Sequence, residues 1–371
     1  MHSARLLFFL CGLLVATQSY GSLAGAEDSK PAAEPKKNEP APEAHDPEHR
    51  RGPQQGDHGE EEHHGFDGEA DYLALADSPI FLPRSYMYWG TPVGAKGHRE
   101  SLVFGLEYAL HLPIYSNLRD QALQGKSWAG ATTLSFEGDL RMIDSDSKPV
   151  RMPSYRPSLS GQLFYIVHRK SPLLFGARTG LYHYSNGQEK CTFDETKTDN
   201  SEPCRAATES VTDAVTSLNR VNGNFSTNGW LLELHGRVHQ VNTKGVAIAH
   251  LSAGFSVQGM IAQGPGAMEP ALRRLYGWGR LQWSLEAKKR FGWAVMTLRT
   301  AATFYPNTDG RTPNKSGQAE VVLGPYWLTG LGFFARYYGG RDFYNAFFVD
   351  SIEQFSAGLA WDGERPLKFK R

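Results

Sequence analysis

The sequence predicts an all-β protein, a transmembrane antiparallel β-barrel of about twelve strands. Three observations carry this reading. From about residue 79 onward, apolar and polar residues alternate at period two in segment after segment, as in strands with one apolar face. The opposite faces are crowded with charge, which suits a polar barrel lumen better than the core of a soluble sandwich. After the N-terminal leader, no stretch reaches the ~18 uninterrupted apolar residues of a membrane helix, so a membrane-spanning chain of this kind must span with strands.

The chain divides into three parts. Residues 1–26 read as a secretory signal: Arg5 precedes the apolar run Leu6–Val15, and Ala24-Gly25-Ala26 offers a small-residue cleavage site. Residues 27–78 are rich in Pro, Glu, Lys and His and poor in large apolar residues, the composition of a disordered periplasmic arm. The barrel occupies 79–371. The 39 Lys and Arg balance the 39 Asp and Glu, so nothing in the charge points to nucleic acid as a partner. Cys191 and Cys204 remain once the leader is removed. In an exported chain, a close and even pair reads most simply as one disulfide.

Strands are expected at about 81–91, 101–113, 129–142, 157–168, 172–186, 217–240, 246–258, 277–289, 293–305, 317–325, 330–339 and 351–362. Each rests on its own alternation. In 101–113, Leu102, Phe104, Leu106, Tyr108, Leu110 and Leu112 share one face, with Glu107 and His111 on the other. In the third, Leu134, Phe136, Leu140 and Met142 oppose Glu137, Asp139 and Arg141. In the sixth, Trp230, Leu232, Leu234 and Val238 oppose Glu233, His235, Arg237 and His239. Leu281, Trp283, Leu285 and Ala287 stand opposite Arg280, Gln282, Ser284, Glu286 and Lys288. Phe355, Leu359 and Trp361 close the series. An even count returns both ends of the barrel to the periplasmic side of a bacterial outer membrane. Arg169–Pro172, Asn242–Gly245 and Lys289–Trp293 are the short turns. Ser226-Thr227-Asn228-Gly229 interrupts the sixth strand with the composition of a hairpin.

The fifth strand ends Leu181-Tyr182-His183-Tyr184-Ser185-Asn186-Gly187. Parity places His183 and Ser185 on one face with Leu173, Phe175, Ala177 and Leu181, which is the lipid side. Strand counting puts them at the outer rim. A serine beside a histidine is a nucleophile beside its base, and the base needs a third group to fix its tautomer. Asn219, at the expected start of the next strand, is the residue nominated for that role. The Gly187 main-chain amide is the expected oxyanion donor. His-x-Ser-Asn is a weak pattern by itself. Its placement on an apolar face adds weight, since two polar side chains turned toward lipid are costly without a use.

These residues resemble the outer-membrane phospholipases A. That family carries His-x-Ser-Asn-Gly at a strand end and an Asn-Arg pair after the following external loop; here His183-Tyr184-Ser185-Asn186-Gly187 is followed by Asn219-Arg220. Tyr86-Met87-Tyr88, Ser147-Lys148-Pro149, Tyr155-Arg156-Pro157, Asn228 through Glu233, and Tyr337 through Trp361 resemble further segments of the family. The resemblance implies a twelve-stranded barrel that hydrolyses acyl esters of outer-membrane phospholipids. Ser185 would be the nucleophile, His183 the base and Asn219 the orienting group. It also implies calcium at the site and activation by homodimerisation. The chain departs from the pattern in three places. An insertion bearing Cys191 and Cys204 separates Ser185 from Asn219. Lys190 falls where the family has a calcium-ligating acid, leaving Glu189 and Asp194 as the nearby substitutes. Ser158 stands where the family has the membrane-embedded Gln of its dimer. Two other functions fit the same pattern: a lipid A deacylase, whose barrels carry a similar motif with a Glu on the histidine, and a non-enzymatic porin-like barrel.

Overall fold

The computed structural model describes residues 82–91, 101–144, 150–168, 172–241, 247–306, 308, 310–325 and 330–361. The signal, the 27–78 arm and the Asn242–Gly245 turn lie outside them. Twelve strands close into one antiparallel barrel: β1 Ser85–Gly90, β2 Leu102–Ser116, β3 Trp128–Ile143, β4 Ser154–Val167, β5 Leu173–Ser185, β8 Ser226–Val241, β9 Ala247–Met260, β10 Gly279–Phe291, β11 Ala294–Phe304, β12 Lys315–Pro325, β13 Leu331–Arg341 and β14 Ser351–Trp361. Two more, β6 Lys190–Cys191 and β7 Asp194–Thr198, form a small sheet in the long loop after β5. Each barrel strand pairs with its neighbour, and β1 closes on β14 with Ser85 opposite Trp361. The expected count of twelve therefore stands. The sixth barrel strand is shorter than expected: it begins at Ser226, and residues 217–225 belong to the loop before it.

Alternation sorts the wall into two faces. Leu110, Leu112, Ile114, Leu163, Phe175, Leu232, Leu234, Leu285, Leu298 and Phe333 all point outward and stay exposed. An apolar belt this continuous far exceeds the patches a soluble monomer tolerates. Exposed aromatics mark both rims: Trp128, Tyr165, Phe291 and Trp293 lie at the end that bears the short turns, and Trp89, Trp230 and Trp278 lie toward the long external loops. Aromatic girdles of this kind sit at membrane interfaces. This is a bacterial outer-membrane barrel, with the short turns periplasmic and the long loops external.

The inner face is an ion-pair network. Glu286 on β10 gathers His250 at 2.9 Å, Arg299 at 3.1 Å, Arg84 at 3.3 Å and Arg237 at 3.7 Å. Arg178 meets Glu233 at 3.0 Å, and Arg336 forks onto Glu107. At the external mouth, Asp342 takes a bidentate pair from Arg141 at 2.7 and 2.8 Å, tying a loop to the wall. Above the network the external loops build their own apolar core, including Phe193, Phe225, Met268, Leu272, Leu275 and Phe348. Below it, Phe164, Ile166 and Leu174 pack with Leu118 and Ala122 of the helix Leu118–Leu123, which occupies the long periplasmic connection. The lumen is thus packed with apolar side chains at both ends and charged in the middle.

Candidate active site

The end of β5 is positioned by what lies on its two faces. Arg178 and Tyr182 are buried on the inside, where the Arg156 guanidinium lies 4.3 Å over the Tyr182 ring. The Tyr184 hydroxyl donates to Ser154 Oγ at 3.2 Å, also inside. Phe175 and Leu181 are exposed on the outside. His183 and Ser185 share the parity of Phe175 and Leu181, so both face outward at the external rim, half-buried. The expected orientation is the one observed.

The group that holds the imidazole is Asn228, not Asn219. His183 and Asn228 are directly opposite in the β5–β8 ladder, and His183 Nδ1 lies 2.8 Å from Asn228 Oδ1. The other end of the Asn228 amide determines the proton's place. Its Nδ2 donates to the Pro265 carbonyl at 3.0 Å, and a carbonyl can only accept. Oδ1 must therefore be the atom facing the ring, so Nδ1 carries the hydrogen and Nε2 keeps its lone pair. That is the tautomer a general base requires.

Asn219 is buried and committed elsewhere. Its Oδ1 accepts from the main-chain amides of Val221 and Asn222, each at 3.2 Å. Its Nδ2 donates to the Cys191 carbonyl at 3.1 Å and to Asn222 Oδ1 at 2.9 Å. It folds the loop and does not join the ring. The expectation fails because it starts the sixth strand too early, at 217 where β8 begins at Ser226. A signal for Asn228 existed: it shares parity with Trp230, Leu232 and Leu234, a polar residue at the end of a lipid-facing stripe.

Ser185 is flanked in the sheet by Tyr155 on β4 and Ser226 on β8. Asn186 is buried and shapes the exit from the strand. Its Oδ1 accepts from the Phe225 amide at 3.0 Å and the Gln188 amide at 3.2 Å, and its Nδ2 donates to the Gly223 carbonyl at 2.7 Å. This turns the chain sharply, and Gly187 takes φ = 65°, a left-handed conformation suited to glycine. Gly187 is exposed, and its amide meets no acceptor among the described residues.

Cys191 and Cys204 form the expected disulfide, Sγ–Sγ 2.04 Å, which staples the small sheet to the helix Glu202–Glu209. The two acids nominated for calcium do not fit that ion. Asp194 Oδ1 accepts from the Thr196 amide at 2.9 Å and its hydroxyl at 2.6 Å, while Oδ2 is taken by the Lys197 ammonium. These bonds, that of Lys197 foremost, hold its pKa down at about 2. Glu189 is exposed, and among the described residues no three His, Cys, Asp or Glu side chains group as a metal site. Calcium asks for several oxygens converging on one point, and these two residues do not supply them. Ser158, at the position of the family's dimer glutamine, is buried on the lumen side.

No protein-family profile matches the chain, and no curated protein matches it at a significant level. Among solved structures, the barrel is similar to outer membrane phospholipase A from Escherichia coli, with 12% identity, 75% of this chain and 96% of that chain covered, and a TM-score of 0.44. It is similar to the calcium-bound dimer of the Salmonella typhi outer membrane phospholipase at 13% identity, covering 80% and 99%, with a TM-score of 0.45. It is also similar to the NanC porin at 9% identity, covering 76% and 100%, with a TM-score of 0.34.

Proposed function

We propose that this barrel is an outer-membrane phospholipase A that hydrolyses acyl esters of glycerophospholipids from the lipid side of its wall. The observation that carries the proposal is the His183–Asn228 pair at 2.8 Å, on the outward face beside Ser185. A histidine with its tautomer set by an amide, next to a serine, is hydrolytic machinery. Its setting selects the substrate: Leu181 and Trp230, cross-strand partners one pleat below, are exposed where acyl chains would lie.

In the reaction, Ser185 Oγ attacks the ester carbonyl carbon while His183 Nε2 takes its proton. Asn228 Oδ1 keeps its bond to Nδ1–H as the ring becomes cationic. The Gly187 amide donates to the carbonyl oxygen as it gains charge. Collapse breaks the ester C–O bond, and the lysophospholipid oxygen leaves with the proton from Nε2. A water, deprotonated by the same nitrogen, then releases the fatty acid and restores Ser185. Glu189 and Asp194 do not make a calcium site, so no step is assigned to the ion.

The test is acyl release from phosphatidylethanolamine by protein refolded in detergent, with Ser185→Ala and His183→Ala alongside. Both variants should lose activity, and a sulfonyl fluoride should label Ser185. Unchanged release by both variants ends the reading. A lipid A deacylase would show itself by shortening lipid A in mass spectra; the asparagine on Nδ1 speaks against it. The non-enzymatic barrel is favoured by one observation, a charged cavity of about 390 Å3 in the lumen. The apolar packing at both lumen ends counts against conduction. Planar-bilayer currents with no ester hydrolysis would instead favour the channel.

A further inference from the structure

We propose that Pro265 and Gly266, in the external loop after β9, are the positioning residues that set which nitrogen of His183 carries the proton, acting through Asn228. The idea rests on the hydrolase reading for its meaning in catalysis, but its geometry stands independently.

Asn228 is held by the loop at three points. Its main-chain N–H donates to the Gly266 carbonyl at 2.7 Å, and its carbonyl accepts from the Ile261 N–H at 2.9 Å. Its side-chain Nδ2 donates to the Pro265 carbonyl at 3.0 Å. The third bond decides the chemistry. An asparagine amide can present either end to a neighbour, and only a fixed acceptor on one side makes the other side an acceptor too. Without the Pro265 carbonyl, Nδ2 could turn to the ring, and the proton would then belong on Nε2. A histidine protonated there cannot take a proton from Ser185.

Gly266 makes the approach possible. It has φ = 72°, and a Cβ at this position would lie 2.1 Å from Asn228 Nδ2, inside any real contact. The loop is braced from behind: Arg273 donates to the Ala262 carbonyl at 2.7 Å, and Met268 is buried in the external apolar core. Glu269 is half-buried beside Thr192 and Thr208 of the disulfide-bearing loop. The clamp is thus part of the folded external cap and not a free strand end.

A neighbouring glycine supplies the control. Gly264 lies in the same loop with φ = 95°, and a Cβ there meets nothing within 4 Å. Gly264→Ala therefore imposes similar backbone strain without touching Asn228. The experiment compares wild type, Gly264→Ala and Gly266→Ala, refolded in detergent with 15N-histidine, using His183→Ala to assign the ring signals. The expected result is Nδ1–H in wild type and Gly264→Ala, and loss of that tautomer in Gly266→Ala. With it kcat should fall about tenfold, the worth of one lost hydrogen bond, while KM stays. Retention of Nδ1–H and kcat in Gly266→Ala, or equal losses in both variants, overturns the proposal. So does a wild-type ring protonated on Nε2, which decides the matter even if Gly266→Ala fails to fold. If Ser185→Ala is as active as wild type, the hydrolase reading falls alone, because the NMR arm still judges the clamp.

Discussion

Replacing Asn228 by Ala and, separately, Asn219 by Ala distinguishes the orienting residue from the loop-building one. Asn228→Ala removes the 2.8 Å bond to His183. In the ground state that bond joins two neutral groups, but as the ring takes the serine proton it becomes a bond to a cation. Hydrogen bonds to charged groups contribute about 1.5–3 kcal/mol, so kcat should drop by about 10- to 150-fold. KM should hardly move, since Asn228 acts through the ring. Asn219→Ala removes a buried side chain that serves four main-chain or side-chain partners between 2.9 and 3.2 Å. Orphaning those partners costs roughly 1–3 kcal/mol, felt within the external loop as faster proteolysis around 217–225. The rate per folded molecule should stay within about twofold of wild type, well short of the tenfold expected from one lost orienting bond. The assay is acyl release in mixed micelles, normalised to active sites by sulfonyl fluoride titration. An Asn219→Ala protein as inactive as Ser185→Ala, beside an Asn228→Ala protein at wild-type kcat, would refute this assignment.

Two further outcomes follow from the external cap. Replacing Cys191 and Cys204 by Ser opens a loop of 13-residue separation, which costs roughly 3 kcal/mol by chain entropy; the helix Glu202–Glu209 should become the first site of tryptic cleavage while the barrel keeps its heat-modified migration on gels, and an unchanged cleavage pattern would contradict the staple's role. Glu269 has its pKa raised, mainly by burial. For a carboxyl raised in the fold, the stabilising contribution is full below the ordinary Glu value and lost as pH rises through the folded one. The cap should therefore loosen as pH rises above the ordinary Glu range, and Glu269→Gln should remove that pH dependence from loop proteolysis; a variant with the wild-type pH profile would show the carboxyl is not responsible.

The barrel was legible because its physics repeats. Each strand from Leu102–Ser116 to Ser351–Trp361 must offer lipid one parity and the lumen the other, and a period of two survives any loop between strands. His183 and Ser185 were legible for the same reason, as polar residues on an apolar parity. Asn228 was not, because its role depends on which residue of β8 stands opposite His183. Register between strands is a pairing across 45 residues of sequence, and alternation leaves it open. The short helices of the loops were also missed. Pro270–Tyr276 is stabilised by its place in the external apolar core and Glu202–Glu209 by the Ser201 cap and the Cys191–Cys204 disulfide, and both are too short to carry a helical period of their own.

Register between β5 and β8 then needs a physical cause, since the His183–Asn228 pair spans both strands. Slipping by one residue would turn every side chain to the wrong face and is forbidden by the lipid. Slipping by two keeps every residue on its own face, so the hydrophobic pattern is blind to it, yet His183 would then face Ser226 or Trp230. The ion pair inside is not blind. Arg178 stands opposite Glu233 in the same ladder, with its guanidinium 3.0 Å from the carboxylate. A two-residue slip would place Arg178 against Leu231 or His235, separating the buried guanidinium from its carboxylate. Breaking such a pair costs roughly 3–5 kcal/mol, whereas replacing both members by apolar residues is often neutral. Arg178→Leu alone should therefore destabilise the barrel, and Arg178→Leu with Glu233→Leu should restore much of the stability. If the pair sets register, the double variant unfolds near wild type but populates slipped ladders and loses acyl release. Cysteines placed at Leu181 and Trp230 would then crosslink less in it than in wild type. A double variant with full crosslinking and full activity would assign register to the turns and to the remaining wall contacts instead.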